Sequence, residues 1–206
     1  SLPGYWESEE GGRRWKYYFS RAEANSCLVI NPSEDGGQYV HSEDIIDKFV
    51  SKNKGAYAIS DLTNSYKDQV SGYKRGLMLC EDRTKVILQD EVVLQDASEV
   101  YSFINFYKSE FEIAEDGKSV IIKKGNRKLY MNIICDQPFE ISVMNSRALP
   151  TSNLLPGNKV VKEIKKIAIH FNKIDSLNLR IELTPYLFDE ELDAIKDTKF
   201  VPLSEW

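Results

Sequence analysis

Alternating apolar and polar positions dominate this chain and predict a protein built mainly of β-strands. The cleanest example is residues 177–183, where leucine or isoleucine alternates with a polar residue, the period expected of a half-buried strand. Turn residues recur about every 8–12 positions, a spacing typical of sandwiches and barrels. Helical spacing appears near residues 188–195 and predicts one short C-terminal helix. We therefore expect an all-β fold, a large antiparallel β-sandwich of two stacked sheets with about a dozen strands.

Polar turns between apolar runs predict hairpins at two places. Residues 74–80 and 85–92 are apolar-rich runs that flank a polar turn at residues 81–84. Asp116 and Gly117 separate another pair of runs, and aspartate-glycine between two strands is a strong hairpin signal. Strands that follow each other along the chain are therefore expected to pair as antiparallel neighbours.

Composition and charge exclude several classes of protein. The chain has 206 residues with 42% hydrophobic residues, enough for one sizeable core. Its formal net charge of -5 gives no electrostatic support to a nucleic-acid partner. No apolar run approaches the roughly 18 residues of a membrane helix. Three widely spaced cysteines without a CxxC motif favour neither a disulfide framework nor a cysteine-based zinc site.

The chain has few histidines and none of the common catalytic sequence motifs. The chain contains two histidines, His41 and His170. His170 shares its strand phase with Ala168 and is expected to face outward, where polar side chains are normally solvated. His41 has acidic neighbours, which is weak evidence for a metal site. No nucleophile elbow, P-loop, HExxH or GxGxxG motif occurs.

One segment, residues 13–32, mixes aromatic and basic side chains and then enters an apolar strand. It reads RRWKYYFSRAEANSCLVINP. One interpretation is an amphipathic edge segment whose charges are solvated. The other is a surface that holds an anionic, ring-shaped polymer, because aromatic rings stack on flat faces and arginine pairs with carboxylate or sulfate.

The same segment resembles the start of the C-terminal β-sandwich domain of heparinase II/III-like polysaccharide lyases. Further similar segments follow in the same order and cover nearly the whole chain: residues 58–63 with Tyr66, 74–76, 89–91, 99–101, 116–118 and 179–185. The resemblance implies that residues 1–206 form a single sandwich domain, excised from a longer protein that has an N-terminal α/α toroid. The first residue, Ser1, is not methionine, which agrees with this expectation.

The resemblance also implies an activity, in which the parent protein cleaves uronic-acid-containing glycans by β-elimination. The sandwich would form one wall of the substrate cleft, with an acidic polysaccharide and the toroid as its partners and a periplasmic or extracellular location. The candidate substrate-binding residues are Arg14, Tyr18, Arg21, Glu23 and Asn25. Arg21 and Glu23 have a structural alternative, because residues two apart on a strand share a face and can pair. No catalytic residue is expected in this part alone, and the isolated chain is expected to be inactive.

Two positions depart from the family pattern. Asn25 and Asn105 stand where the family places histidines. Asparagine cannot act as a general base near neutral pH and is a poorer zinc ligand than histidine, so we predict no metal and no cofactor. These departures also support an alternative, a non-catalytic carbohydrate-binding or scaffolding domain. A structural domain without a ligand is a third possibility.

Overall fold

The computed structural model describes residues 2–33, 37–152, 161–195 and 198–206. Its strands are β1 (Leu28–Ile30), β2 (Ile45–Lys52), β3 (Gly55–Asp61), β4 (Val70–Cys80), β5 (Lys85–Tyr107), β6 (Glu110–Ile113), β7 (Ser119–Lys124), β8 (Arg127–Cys135), β9 (Glu140–Asn145) and β10 (Ile164–Tyr186). Short 3-10 helices occupy Arg13–Lys16, Tyr18–Ser20, Ala22–Ala24, Asn64–Tyr66, Asp189–Ala194 and Leu203–Glu205. The predicted all-β class is confirmed.

All strand pairs are antiparallel and belong to one hydrogen-bonded sheet of ten strands. The main order is β2-β3-β4-β5-β10-β8-β7-β6, while β1 pairs with β5 and β9 with β10. The sequence pattern predicts separate strands at residues 85–92 and 100–106, but both lie in β5, which has 23 residues. Register shifts between Phe171 and Ser176 of β10 interrupt the pairing without ending the strand, as β-bulges do. The two expected sheets are therefore joined through continuous central strands.

The sheet curves around one main hydrophobic core. Ile167 and Ile169 from the first half of β10 belong to the same buried cluster as Leu179 and Ile181 from its second half. Strands β1, β4, β5, β7 and β8 add further apolar side chains to this cluster. Burial of these side chains is the dominant stabilising contribution.

The predicted turns and the predicted helix are found where the pattern put them. The turn between β4 and β5 places Glu81, Asp82 and Arg83 at positive φ, and Gly117 has a φ of 66° between β6 and β7. The C-terminal helix is Asp189–Ala194 and is of the 3-10 type, with six residues. Nucleation of an α-helix is unfavourable, and a segment of six residues is too short for propagation to offset it.

The C-terminal residues cover one face of the outer strands. A Cβ atom on Gly76 would lie 2.3 Å from Leu203 Cδ2 and 2.8 Å from a ring carbon of Trp206. The Gln89 amide donates to the Val201 carbonyl (2.8 Å), and the Trp206 ring meets Tyr57 edge-on. This close approach requires glycine at position 76, because any side chain there would displace the C-terminal residues.

Candidate functional site

The segment that the resemblance assigns to substrate, residues 13–25, is a series of tight turns and not a strand. We call it the turn segment. Three successive 3-10 helices begin at Arg13, Tyr18 and Ala22. Their backbone bonds span three residues, as in the bond from the Asn25 N–H to the Ala22 carbonyl (2.9 Å). Because 3-10 turns repeat every three residues, the segment divides into side chains that enter the protein and side chains that face solvent.

Arg21 and Glu23 form the centre of the inward-facing set. Arg21 Nε donates to Glu23 Oε1 at 2.9 Å, and both side chains are only 3% exposed. Arg21 also donates to the carbonyl of Ser33 at 2.7 Å, and Glu23 Oε2 accepts from the Leu149 N–H and the Ser152 hydroxyl, each at 2.9 Å. The pairing of these two residues was one alternative from the sequence. In the folded chain this pair links residues 21–23 to Ser33 and to residues 149–152.

A buried lysine lies beneath this pair. Lys166 of β10 donates from Nζ to the Glu23 carbonyl at 2.8 Å, and its ammonium group lies 3.9 Å from the centre of the Phe103 ring. Burial lowers the pKa of Lys166 to about 8, because an apolar environment disfavours the charged form. Tyr18 is also buried, which raises the pKa of its hydroxyl, and that hydroxyl lies 3.3 Å from Ser146 Oγ.

Sequence reasoning missed Lys166, although strand phase contained a signal. Lys166, Ala168 and His170 lie on the same face of β10, the face predicted to be solvated. Ala168 instead packs with Ala22, Val29 and other residues in a second, smaller apolar cluster. The turn segment therefore covers one end of this face, and a lysine in phase with Ala168 becomes buried.

His170 occupies the other end of the same face and is half-buried. Its Nε2 lies 2.8 Å from Glu99 Oε1, and its ring stacks on Tyr101 with 4.2 Å between ring centres. The Tyr101 hydroxyl also donates to Glu99 (3.2 Å). The histidine is therefore paired and stacked, and not the freely solvated side chain that we predicted.

Arg14 and Asn25 belong to the outward-facing set. The Arg14 guanidinium lies 4.8 Å from the centre of the Tyr5 ring and 5.6 Å from that of Trp15, within the range of cation–π attraction. Asn25 is exposed, and its amide nitrogen donates to the Arg21 carbonyl at 2.8 Å. Asn25 therefore presents its amide to solvent, whereas Arg14 is half-buried and its Nε is buried without a hydrogen-bond partner among the residues that the structure describes. Tyr18, Arg21 and Glu23 are more deeply buried than either of them.

The two asparagines at the family's histidine positions lie at the same turn. The Asn105 amide nitrogen donates to the Ala24 carbonyl (3.1 Å), and its backbone N–H donates to Ser26 Oγ (3.1 Å). Asn25 and Asn105 thus both bond to backbone groups, as asparagine side chains often do. Among the described residues, no group of three or more His, Cys, Asp or Glu side chains is arranged to hold a metal ion.

A cavity of about 240 Å³ opens beside the turn segment. It lies between residues 10–16, the loop at residues 37–40 and the turn at residues 65–69. The aromatic residues Trp15 and Tyr39 and the basic residues Lys16 and Lys67 are among those that line it. The cavity combines flat apolar surface with charged groups, the combination that the sequence suggested for a sugar-binding surface.

The fold is similar to solved structures of polysaccharide lyases. The chain superposes on the heparan sulfate lyase HepC from Pedobacter heparinus with a TM-score of 0.64 at 9% identity, over 83% of this chain and 25% of that chain. A crystal structure of heparinase III gives 0.63 at 13% identity, over 84% and 25%, and the heparinase III BT4657 gene product gives 0.63 at 10% identity, over 83% and 25%. This chain has the fold of one part of heparinase III. The predicted resemblance in fold is confirmed.

The matches cover only part of each solved structure, so they show the fold of this chain and not its activity. The chain spans about a quarter of the length of these solved structures. No protein-family model matches the chain, and no curated protein does. Among the described residues, no helix has the length and apolar character needed to cross a membrane. The fold is therefore shared with these lyases, while activity and substrate are matters for proposal.

Proposed function

We propose that this chain is the β-sandwich part of a polysaccharide lyase that cleaves uronic-acid-containing glycans by β-elimination. The observation that carries the proposal is the fold shared with heparinase III over 83–84% of the chain. An acidic polysaccharide would lie along the turn segment, which would form one wall of a cleft completed by an α/α toroid. A periplasmic or extracellular location belongs to the same proposal.

The side chains of the turn segment have two proposed roles, contact with the glycan and support of the segment's conformation. Arg14 is half-buried and Asn25 is exposed, and they supply the contact groups: a guanidinium that pairs with carboxylate or sulfate, and an amide that bonds to sugar oxygens. Tyr18, Arg21 and Glu23 are buried, and we assign them the role of holding the segment in place. A contact residue needs this support, because a poorly positioned group loses most of its binding contribution.

The chemistry of β-elimination requires three functions. A polar or charged group neutralises the carboxylate of the uronic acid, a base removes the proton at C5, and an acid protonates the leaving oxygen. Arg14 suits the first function, since its charge is permanent. The base and the acid would come from the toroid, because asparagine at positions 25 and 105 has no titratable group near neutral pH.

The same asparagines favour a second candidate function, a carbohydrate-binding or scaffolding domain without catalysis. Asn25 and Asn105 are bonded to backbone carbonyls, so they serve the local turn. In this case the chain binds glycan through the same segment, and the parent protein releases no unsaturated product.

A lyase assay on the full-length protein separates the two candidates. We expect release of unsaturated uronate by the full-length protein and none by the isolated 206-residue chain. Arg14→Ala should weaken binding of a heparan sulfate oligosaccharide about tenfold or more, the loss expected for a charge-assisted contact. Arg127→Ala, at an exposed arginine on β8, is the matched control. Activity of the isolated chain, or equal effects of both variants, would contradict the proposal.

A further inference from the structure

We propose that the cavity bounded by Trp15 and Tyr39 is a subsite for one uncharged sugar ring of a bound glycan. This inference rests on the proposed glycan-binding function and names a site and a ligand class for it. The cavity volume of about 240 Å³ is below the roughly 300 Å³ at which pockets for drug-sized ligands begin. A single pyranose ring is therefore the appropriate size of ligand.

The walls of this cavity are fixed by hydrogen bonds. The Trp15 indole nitrogen donates to the Glu9 carbonyl at 3.0 Å, and the Tyr39 N–H donates to the Ser65 carbonyl at 2.8 Å. The buried Tyr66 hydroxyl donates to the Leu28 carbonyl at 2.8 Å and accepts from the Gln38 amide at 3.0 Å. A wall already ordered in the free protein loses little conformational entropy when a ligand binds.

The aromatic and charged groups of the cavity are complementary to a sugar. Trp15 and Tyr39 both line the cavity, and aromatic rings of this kind can stack on the C–H groups of a pyranose. The Lys67 ammonium lies 3.4 Å from the centre of the Tyr39 ring, so it holds this ring while it keeps donors for a sugar oxygen.

The balance of charge identifies the class of sugar. Among the residues that the structure describes, Lys16 and Lys67 line the cavity together with Glu10 and Asp68, so two formal positive charges of this set oppose two negative ones. A carboxylated or sulfated ring would meet repulsion as well as attraction here. A hydroxyl group both donates to carboxylates and accepts from ammonium groups, so a neutral ring satisfies all four side chains. Among the described residues, the side chains of Glu10, Lys16 and Asp68 have no hydrogen-bond or ion-pair partner.

Two matched monosaccharides test this inference on the 206-residue chain. Methyl β-glucoside and methyl β-glucuronide differ in the charge at C6, and binding is followed by NMR titration of the three tryptophan indole N–H signals. We expect the glucoside to shift the Trp15 signal in a saturable way and to leave the Trp206 signal unchanged, since Trp206 lies against Tyr57. The glucuronide should bind at least fivefold more weakly.

Tyr39→Ala and Tyr57→Ala form a matched pair of variants. Each removes a tyrosine ring that has a lysine ammonium above it, but only Tyr39 lines the cavity. We expect Tyr39→Ala to abolish the glucoside-induced shift and Tyr57→Ala to preserve it, with both variants folded by circular dichroism. Asp68→Asn, at an exposed side chain, provides a variant with little risk to folding and should weaken glucoside binding.

The outcomes separate this inference from the proposed function. Equal or tighter binding of the glucuronide, or a Trp15 shift that survives both Tyr39→Ala and Asp68→Asn, overturns the neutral subsite. If neither monosaccharide shifts Trp15 but a heparan sulfate oligosaccharide still binds through Arg14, the subsite is wrong and the proposed function stands. If no glycan binds the full-length protein, the proposed function itself fails.

Discussion

The buried pair of Arg21 and Glu23 gives the sharpest test of how the turn segment is held. Arg21→Met keeps the length of the side chain but leaves the Glu23 carboxylate buried without its charged partner. Both side chains are 3% exposed, so water cannot replace the lost contact. Removal of one partner from a buried ion pair costs about 3–5 kcal/mol, which lowers the melting temperature of a chain of this size by roughly 10 °C.

The exposed pair of Arg13 and Glu7 is a matched control in the same segment. Its shortest N–O distance is 2.6 Å, but the two side chains are 53% and 38% exposed. Exposed ion pairs contribute about 0–1 kcal/mol. Arg13→Met should therefore shift the free energy of unfolding in urea by less than about 1 kcal/mol, against about 3–5 kcal/mol for Arg21→Met.

A double variant measures the interaction free energy between Arg21 and Glu23. In Arg21→Met/Glu23→Leu, neither member of the pair is left buried without the other, so the double variant should lose clearly less stability than the sum of the single variants. If Arg21→Met costs no more than Arg13→Met, the structural role is refuted. A weaker affinity for glycan with an unchanged melting temperature would instead support direct contact between Arg21 and substrate.

Two further predictions follow from the buried lysine and from the C-terminal contact. Burial lowers the pKa of Lys166 to about 8 in the folded chain, against about 10.4 in an unfolded chain. Between these two pH values the unfolded state binds more protons than the folded state. The free energy of unfolding contributed by Lys166 therefore rises with pH. From about pH 7 to about pH 9.5, the free energy of unfolding in urea should rise by about 2 kcal/mol more for the wild type than for Lys166→Met. If the free energies of unfolding of the two proteins change in parallel with pH, the lowered pKa of Lys166 is disproved. Gly76→Val should displace Leu203 and Trp206, since a Cβ would lie 2.3 Å from Leu203; an unchanged Trp206 fluorescence spectrum would contradict this contact.

Most of the fold was predictable because it depends on local patterns. A period of two identifies strands, and polar turn residues identify hairpins such as the one between β4 and β5. The continuity of β5 and β10 was not predictable, because a bulge bends a strand at residues that look like a turn in the sequence. The Arg21–Glu23 contact was foreseen as an alternative, but from strand geometry, and it occurs through 3-10 turns.

By itself, the sequence determined the β class, the order of the elements and the segment rich in aromatic and basic residues. Only the tertiary structure decided which of those side chains meet solvent. Strand phase places Lys166 and His170 on one face of β10, but it does not say what covers that face. The turn segment, more than a hundred residues away in sequence, covers Lys166 and leaves His170 half-exposed beside Glu99. Burial is a long-range property of the folded chain, whereas periodicity is a local one.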